Sequence, residues 1–533
     1  MNDEIMKLVR ERGLLLEKDI YDILSSFGDV NAAKNFLEGL ERYSGQKILT
    51  KALLTKNVEY VQNAVGRLSG ESKNSVERTI IKMGISFEIK QEQEAKQIKD
   101  GADAVSRSHG FKVLMPDVTN YKKLEVADFT GHFRARYQQI QRILMQRPDL
   151  PNLVSISKIS SERQNLCIIG MVKEKRVTKN NNLIITFEDL TGEIAALVKA
   201  DREEIYRKAE ELQMDDVVAI KCSGNRDLLF VYEIYFPDAF LPEKTRFNDD
   251  ISAAFISDTH CGSERHLGKS FNRFIEWLNS GEEEASKIKY LFIVGDNVDG
   301  VGIFPSQESL LTLKSMKEQY ALLASYLKRV PKQITMFMCP GQHDATRVAE
   351  PQPIPDKKYA APIYEIENLV PVTNPCVVKL VEGAKEFKVL MYHGASIHPF
   401  IDEIAELREM KAHRTPAKAV KHMLKRRHLA PMHGVSSSIV YIPNAEKDPL
   451  VISEVPDILC TGEVHRLDVE NYNGVLIITG SCWQAQTPFE EKVGNIPDPC
   501  KVPVFNLRTR ELKVFDFSDE AEMNKDYNGG KTQ

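Results

Sequence analysis

The chain has 533 residues, more than one ordinary core accommodates, which sets an expectation of about two to four domains. It is 42% hydrophobic and 28% charged with a formal net charge of −5, a globular composition that carries no overall electrostatic footprint for nucleic acid. The opening MNDEIMKLVRERG has no apolar signal core, no run of about 18 apolar residues exists, and the eight cysteines form no CxxC pair. A cytoplasmic protein with reduced thiols and no membrane contact is expected.

Residues 1–70 set apolar side chains at helical spacing, as in Ile20, Ile23, Leu24 and Phe27, then Phe36, Leu37 and Leu40. They are expected to form a helical domain, either a partner-docking bundle or a plain solvated one. Residues 71–127 read as a linker, because 71–110 contains one aromatic residue, Phe87, and little other core material. A helical arm follows over 128–150, where DFTGHFRARYQQIQRILMQRP keeps helical spacing and stops at Pro148. Over 151–247 the period shortens. Five strand-like runs, from NLCIIGMVKEKRV to LLFVYEIYF, with a helical stretch near 201–212 between the third and fourth, follow the order of an OB-fold β-barrel. The runs lack the interleaved aromatic and basic residues of a single-strand platform, so packing against a neighbour is the expected role.

Residues 248–517 carry the chemistry. Five apolar runs each lead into ligand-type side chains: AAFI into Asp258 and His260, YLFIV into Asp296, ITMFMC into Gln342, His343 and Asp344, KVLMY into His393, and DILC into Glu463 and His465. Such runs, alternating with helical segments, predict a mainly parallel or mixed sheet covered on both faces, with ligands beyond the carboxyl ends of its strands. One such residue would be read as a turn or cap. Five strand ends together point to a metal centre. Oxygen and imidazole donors without thiolate suit Mn²⁺, with Fe or Zn²⁺ as alternatives. A bridging carboxylate fits two divalent metal ions about 3.5–4 Å apart. In an extended segment Glu463 and His465 would face the same way. Cys261, beside His260, is read as a small buried thiol.

The succession SDTH, GDNVD, GQHD, YHG and GEVH resembles the motifs of the calcineurin-like metallophosphoesterases. The resemblance makes 248–517 an α/β sandwich phosphoesterase domain in a multidomain α/β chain. It implies that Asp258, His260 and His465 hold one metal, that Asp296 bridges, and that Gln342, His393 and Glu463 serve the second. It also implies that His343 protonates the leaving oxygen and that Asp344 orients His343. Longer stretches, GDNVDGVGIFP, PGQHDATRVAEPQP, RRHLAPMHG and TGSCWQAQTPFE, resemble the small-subunit family of the archaeal family-D DNA polymerases over roughly residues 110–517. That resemblance implies a 3′–5′ exonuclease acting on single-stranded or mismatched DNA ends, partnered by a large catalytic polymerase subunit. The alternative is a weakened or inactive phosphoesterase that serves the polymerase as a structural subunit. A free-standing metallophosphatase is a third reading, disfavoured by the expected barrel and a basic helix.

Two residues depart from the family pattern. Gln342 stands where the family has Asn, and Glu463 where it has the first His of G-H-x-H. Glutamine adds one C–C bond, about 1.5 Å of reach, and glutamate offers an anionic oxygen in place of a neutral nitrogen. Both changes fall on the second metal, so an altered but working ligand set is expected. The basic stretch 407–428 has eight Lys/Arg against one Glu, and Thr415-Pro416 is a helix start with Thr as N-cap. It is either a solvated face or a contact with the DNA backbone, with His428, Arg426 and Arg427 as candidate substrate-binding residues. His398, His413, His422 and His433 receive no metal role. Trp483 and Phe489 are core residues or interface anchors, and 518–533 is expected to be a disordered tail.

Overall fold

The computed structural model describes residues 2–27, 29–66, 68, 70–83, 85, 87–91, 109–118, 123–432 and 441–523. Two sheets packed face to face dominate its C-terminal half. The six-stranded sheet runs, edge to edge, Leu369–Pro371, Thr335–Cys339, Ile288–Val294, Ser252–Ile256, Lys501–Asn506 and Leu512–Asp516. Its first four strands are mutually parallel and its last two are antiparallel additions. The seven-stranded sheet runs Asp468–Tyr472, Val475–Thr479, Ile458–Thr461, Lys385–Met391, Cys376–Glu382, His109–Leu114 and Phe87–Gln91. Parallel pairing there links Lys385–Met391, Ile458–Thr461 and Val475–Thr479.

Every residue of Ser252–Ile256 and Thr335–Cys339 is buried, because both faces of that sheet are covered. On the inner side Phe292 stacks on Phe255 and Phe337, with ring centroids 5.1 and 5.2 Å apart, and packs toward Phe387, Val389 and Met391 of the other sheet. The outer face presents Ala254, Ile256, Leu291 and Ile293 to helices Gly268–Leu278 and Met316–Leu327. Leu390, Leu459 and Ile477 of the second sheet lie under helix Ala417–Arg426. The result is a four-layered mixed α/β arrangement.

Upstream, strands Gln164–Val177, Leu183–Asp189, Gly192–Val198, Val217–Gly224 and Leu229–Tyr235 close into a barrel, with helix Glu203–Glu211 between the third and fourth. The tight turn at Thr191-Gly192 forms because the Asp189 carboxylate accepts from both backbone N–H groups, at 2.6 and 3.0 Å. Helix Val126–Leu144 joins barrel to sheets. Its Tyr137, Ile140 and Leu144 pack on Ile169, Met171 and Val217 of the barrel. Its fully buried Arg136 donates from Nε to Asp448 at 2.7 Å and from Nη1 to the Pro431 carbonyl at 2.5 Å. Residues 2–82 contain six helices and a two-stranded parallel pair, Leu15–Leu16 with Ile48–Leu49.

Three expectations change. The stretch 71–127, expected as a linker, contributes most of helix Gly70–Lys82 and the strands Phe87–Gln91 and His109–Leu114, the latter paired antiparallel with Cys376–Glu382. Averaged composition hid the strand's alternation, in which Phe111 and Val113 are buried and Lys112 points outward. Of the tail, Glu520–Met523 forms a helical turn whose Glu522 carboxylate accepts from the Lys269 and Ser270 N–H groups, both at 2.9 Å. The remaining tail and His433 lie outside the described residues.

The third change concerns the basic helix. It starts at Ala417, Pro416 takes the cap position, and Asp468 of a sheet strand accepts from the Ala417 N–H at 3.1 Å. Arg426, Arg427 and His428, expected to meet DNA, are 2%, 6% and 1% exposed. Arg426 Nε donates to Asp216 of the barrel at 3.1 Å, and His422 and Lys425 flank Glu211 at 2.9 and 2.5 Å. Arg427 donates to the Ile452 and Ser453 carbonyls, each at 2.7 Å, and His428 Nε2 lies 2.8 Å from Asp448. Burial works against the charged form of Glu211, but His422 and Arg426 hold its carboxyl far below the usual range. These side chains lock the barrel to the sheets. A run of cations reads as a solvated face when its carboxylate partners lie 210 residues away in the chain.

Removing one partner of a buried ion pair costs about 3–5 kcal/mol. Arg426→Ala is therefore expected to destabilise the chain by that amount in a denaturant titration, with DNA affinity unaltered under native conditions. Full stability with lost DNA affinity would restore the substrate role.

Candidate metal centre

The ligand-type residues occupy the first turns beyond the strands, and the backbone there is strained. Asp258, His260, Asp296, Glu463 and His465 have φ of 51°, 42°, 46°, 73° and 59°. Left-handed φ costs a non-glycine residue about 1–3 kcal/mol and persists only where surrounding structure enforces it. Backbone hydrogen bonds enforce it here: Asp258 N–H to Gly295 O at 3.1 Å, His260 N–H to Asp296 O at 3.0 Å, and Trp483 N–H to Asp258 O at 2.9 Å. Glu463 and His465 therefore leave an irregular turn and not the extended segment expected. Glycines admit the close approach. A Cβ on Gly341 would meet Asp296 Oδ1 at 2.2 Å, and one on Gly462 would meet Asp258 Oδ2 at 2.5 Å.

Among the described residues three overlapping ligand groups result here, one of them His260, Asp299 and His343, and the other two share Asp258. Asp258, His260 and His465 offer atoms within 4.8 Å of one another, as do Asp258, Asp296 and His393. His465 Nε2 lies 3.5 Å from Asp258 Oδ1. His393 Nε2 lies 3.3 Å from Asp296 Oδ2 and 3.2 Å from Glu463 Oε2. Asp296 Oδ2 is also 3.9 Å from His260 Nε2, which sets that carboxylate between the groups. The two departures from the family pattern touch each other: Gln342 Nε2 donates to Glu463 Oε2 at 2.9 Å.

Three atoms in this cluster test whether it suits a cation. Asp258 Oδ2 and Gln342 Oε1 are buried without a hydrogen-bond partner, and His393 Nε2 meets only the Asp296 and Glu463 carboxylates. Buried polar atoms left unpaired are costly, and oxygen and imidazole donors are what a divalent cation such as Mn²⁺ takes up. The residues fit the group.

A second layer aims the imidazoles. His260 Nδ1 lies 3.0 Å from Asp299 Oδ1, His465 Nδ1 3.0 Å from Glu490 Oε1, and His393 Nδ1 3.1 Å from the Val294 carbonyl, so each Nε2 faces inward. Burial disfavours charge on His393, but Asp296 and Glu463 outweigh it and raise its pKa well above the usual value. Burial likewise opposes charge on His465, which Asp258 and Glu490 raise in turn. The carboxyls respond reciprocally. Burial pushes Asp296, Glu463 and Glu490 up, while His393 holds Asp296 well below and Glu463 below the usual range, and His465 brings Glu490 down to about 2. A cation entering here displaces protons from the imidazoles.

Asp299 and Glu490 were absent from the expected site, and both left signals. Asp299 closes the GDNVD motif. Glu490 is the fourth residue of a capping box in which Thr487 Oγ1 accepts from the Glu490 N–H at 3.2 Å. Asp344 takes a different role from the one expected. Its carboxylate accepts from the Gly341 N–H at 2.9 Å, the Asn297 N–H at 3.1 Å and the Tyr320 hydroxyl at 2.7 Å, which fixes the loop. The Asp299 carbonyl orients His343 instead, accepting from Nδ1 at 2.6 Å. The His343 side chain remains 21% exposed, with Nε2 3.9 Å from Asp296 Oδ2. The cluster opens into a cavity of about 860 Å³ that Phe304, His398, His413 and Phe489 also line. Trp483 is core, 1% exposed and edge-on to Phe271 at 4.7 Å, while Phe489 is 70% exposed.

A family model for the B-subunits of DNA polymerases alpha and epsilon matches residues 253–468. The chain is 39% identical over 438 residues to the DNA polymerase II small subunit of Pyrococcus furiosus, across 79% of this chain and 69% of that relative. It is 32% identical over 525 residues to the DNA polymerase II small subunit of Methanothermobacter thermautotrophicus, across 97% of this chain and 100% of the relative. The Pyrococcus relatives are longer proteins, of which the chain spans 63% to 69%.

Loss of an outer partner of a ligating histidine typically weakens metal binding about 10–100-fold. Glu490→Gln is expected to weaken Mn²⁺ binding by such a factor in isothermal titration calorimetry of the full chain. Unchanged affinity would remove Glu490 from the site.

Proposed function

The chain belongs to the family of DNA polymerase II small subunits, and on that premise we propose that it carries a metal-dependent 3′–5′ exonuclease. Its substrates in this reading are single-stranded or mismatched DNA ends, and its partner is a large catalytic subunit in whose complex any polymerase activity resides. The observation that carries the reading is the pair of ligand groups meeting at Asp258, with the reachable imidazole of His343 beside them. In this reading residues 248–517 form the calcineurin-like phosphoesterase domain, 151–247 an OB-fold that packs rather than binds strands, and 1–70 a helical domain. Among the described residues no helix is long and apolar enough to cross a membrane, and the cytoplasm is the proposed location.

Two divalent cations, Mn²⁺ before Fe or Zn²⁺, would be held by Asp258, His260 and His465 on one side and by Gln342, His393 and Glu463 on the other, with Asp296 between. When bound they supply Lewis-acid charge to a phosphodiester and a low-pKa water. His343 supplies the proton that the leaving 3′-oxygen needs, from Nε2, while the Asp299 carbonyl holds Nδ1. The Gln342–Glu463 hydrogen bond engages the amide nitrogen and leaves the buried amide oxygen of Gln342 unpartnered, so that it would be available to a cation. That same bond is the one feature favouring a purely structural subunit, since it partly satisfies the second group internally. The unpartnered buried oxygens of Asp258 and Gln342 weigh against that alternative.

With Mn²⁺ and a 5′-labelled single strand, His343→Ala is expected to lose about 10²–10⁴-fold in cleavage rate with its metal retained. Asp296→Ala should lose metal and activity together. A metal-loaded wild type without cleavage would favour the structural subunit. The pH profile tests Glu463 separately. Its carboxyl, pushed up by burial but held below the usual range by His393, keeps its ligand form in acid where an imidazole would be protonated. Glu463→His is expected to shift the acid limb of the rate profile to higher pH, and an unmoved limb contradicts that role.

A further inference from the structure

Two aromatic side chains share the cavity of the metal cluster and have no role in holding it. Phe489 is 70% exposed and Phe304 is 42% exposed, and both line the same 860 Å³ space as His260, Asp296 and His465. Large exposed aromatics clustered at a polar site are an expense in water that a bound apolar surface removes.

Both rings are fixed to the site's own supports. Phe489 precedes Glu490, which holds His465 at 3.0 Å, and the capping box at Thr487 fixes the first turn of its helix, Pro488–Val493. Phe304 follows Ile303, whose N–H donates to Gln307 Oε1 at 2.9 Å. Gln307, fully buried, donates in turn to the Asp299 carbonyl at 2.8 Å. Asp299 is the residue that orients both His260 and His343. The backbone carrying Phe489 is thus tied to the imidazoles through Glu490, and that carrying Phe304 through Ile303, Gln307 and Asp299.

We propose that Phe489 and Phe304 form a nucleobase-stacking subsite that receives the 3′-terminal bases of the strand whose phosphodiester lies at the metal cluster. This rests on the exonuclease reading and names the part of the substrate recognised. A nucleoside attached to a phosphorus at the cluster has to occupy this cavity, because the cluster opens into it. Every base has a π-face, so stacking grips an end of any sequence. That suits an activity that must remove whichever nucleotide is wrong. Pairing would compete with stacking, which favours frayed or mismatched ends over paired ones.

The test uses the full chain, alone and with its large subunit, and a single strand ending in 3′-2-aminopurine. In Ca²⁺, binding is expected to quench the terminal fluorescence, and Phe489→Ala and Phe304→Ala should each reduce the quench at equal occupancy. In Mn²⁺, wild type should prefer a base-bearing end over an abasic end by roughly 5- to 150-fold, the range one stacked base supplies. The variants should shrink that preference while cleaving abasic ends at the wild-type rate. Phe489→Leu, which keeps bulk without a ring, should behave like Phe489→Ala. Binding without quench in wild type, or an undiminished quench in both alanine variants, overturns the subsite while leaving the nuclease reading intact. Equal losses on base-bearing and abasic ends overturn it as well. A quench without cleavage supports the subsite and refutes the nuclease. A quench that disappears in the complex overturns the proposal in favour of a surface covered by the large subunit.

Discussion

Mutual charge compensation between buried carboxylates and buried imidazoles is the constraint on which the C-terminal half depends. Asp258, Asp296 and Glu463 sit within a few ångströms of His260, His393 and His465 at the rim where two sheets meet. None of these groups could be buried alone in its charged form, because an isolated charge in that environment is far too costly. Asp296 and Glu463 are held down and His393 and His465 are raised by one another's charges, against the effect of burial. A cation that replaces imidazole protons extends the same compensation.

The fold serves that cluster by rigidity. Parallel strands in both sheets deliver the residues to a common rim, and left-handed turns at five ligand positions aim them inward. The strain of those turns is balanced by well-packed aromatic layers below and by carboxylates such as Asp344, whose four hydrogen bonds tie neighbouring loops together. Farther out, Arg136 and Arg426 fix the arm helix and the barrel against the sheets through buried ion pairs. The resulting surface near the site is apolar where a substrate would lie and tightly hydrogen-bonded where the ligands sit.

Much of this was legible in the residues. Apolar runs ending in Asp, His and Gln pointed to the strand ends, because a fully covered strand is a short unbroken apolar run that stops where polar side chains begin. The barrel strands were legible for a different reason, the alternation of buried and more exposed residues in runs such as Leu183–Asp189 and Gly192–Val198. Long-range pairing was not. Arg426, Arg427 and His428 looked like a cationic surface, since Asp216, Ile452 and Asp448 are brought to them only by the fold. The strand His109–Leu114 was lost in a polar stretch, as a short strand offers few alternations to count. The role that the family resemblance implied for Asp344 differs from its place here, since a motif does not say which way a carboxylate turns. Backbone strain leaves no compositional trace at all.

Everything proposed for this rim requires a pair of cations held between residues from separate strand ends. Anomalous difference maps from crystals of the full chain grown with Mn²⁺ test that directly. Two peaks about 3.5–4 Å apart are expected, one beside Asp258, His260 and His465 and the other beside His393 and Glu463, with the Asp296 carboxylate between them. A single peak, or a manganese-saturated crystal with none at this rim, would contradict it.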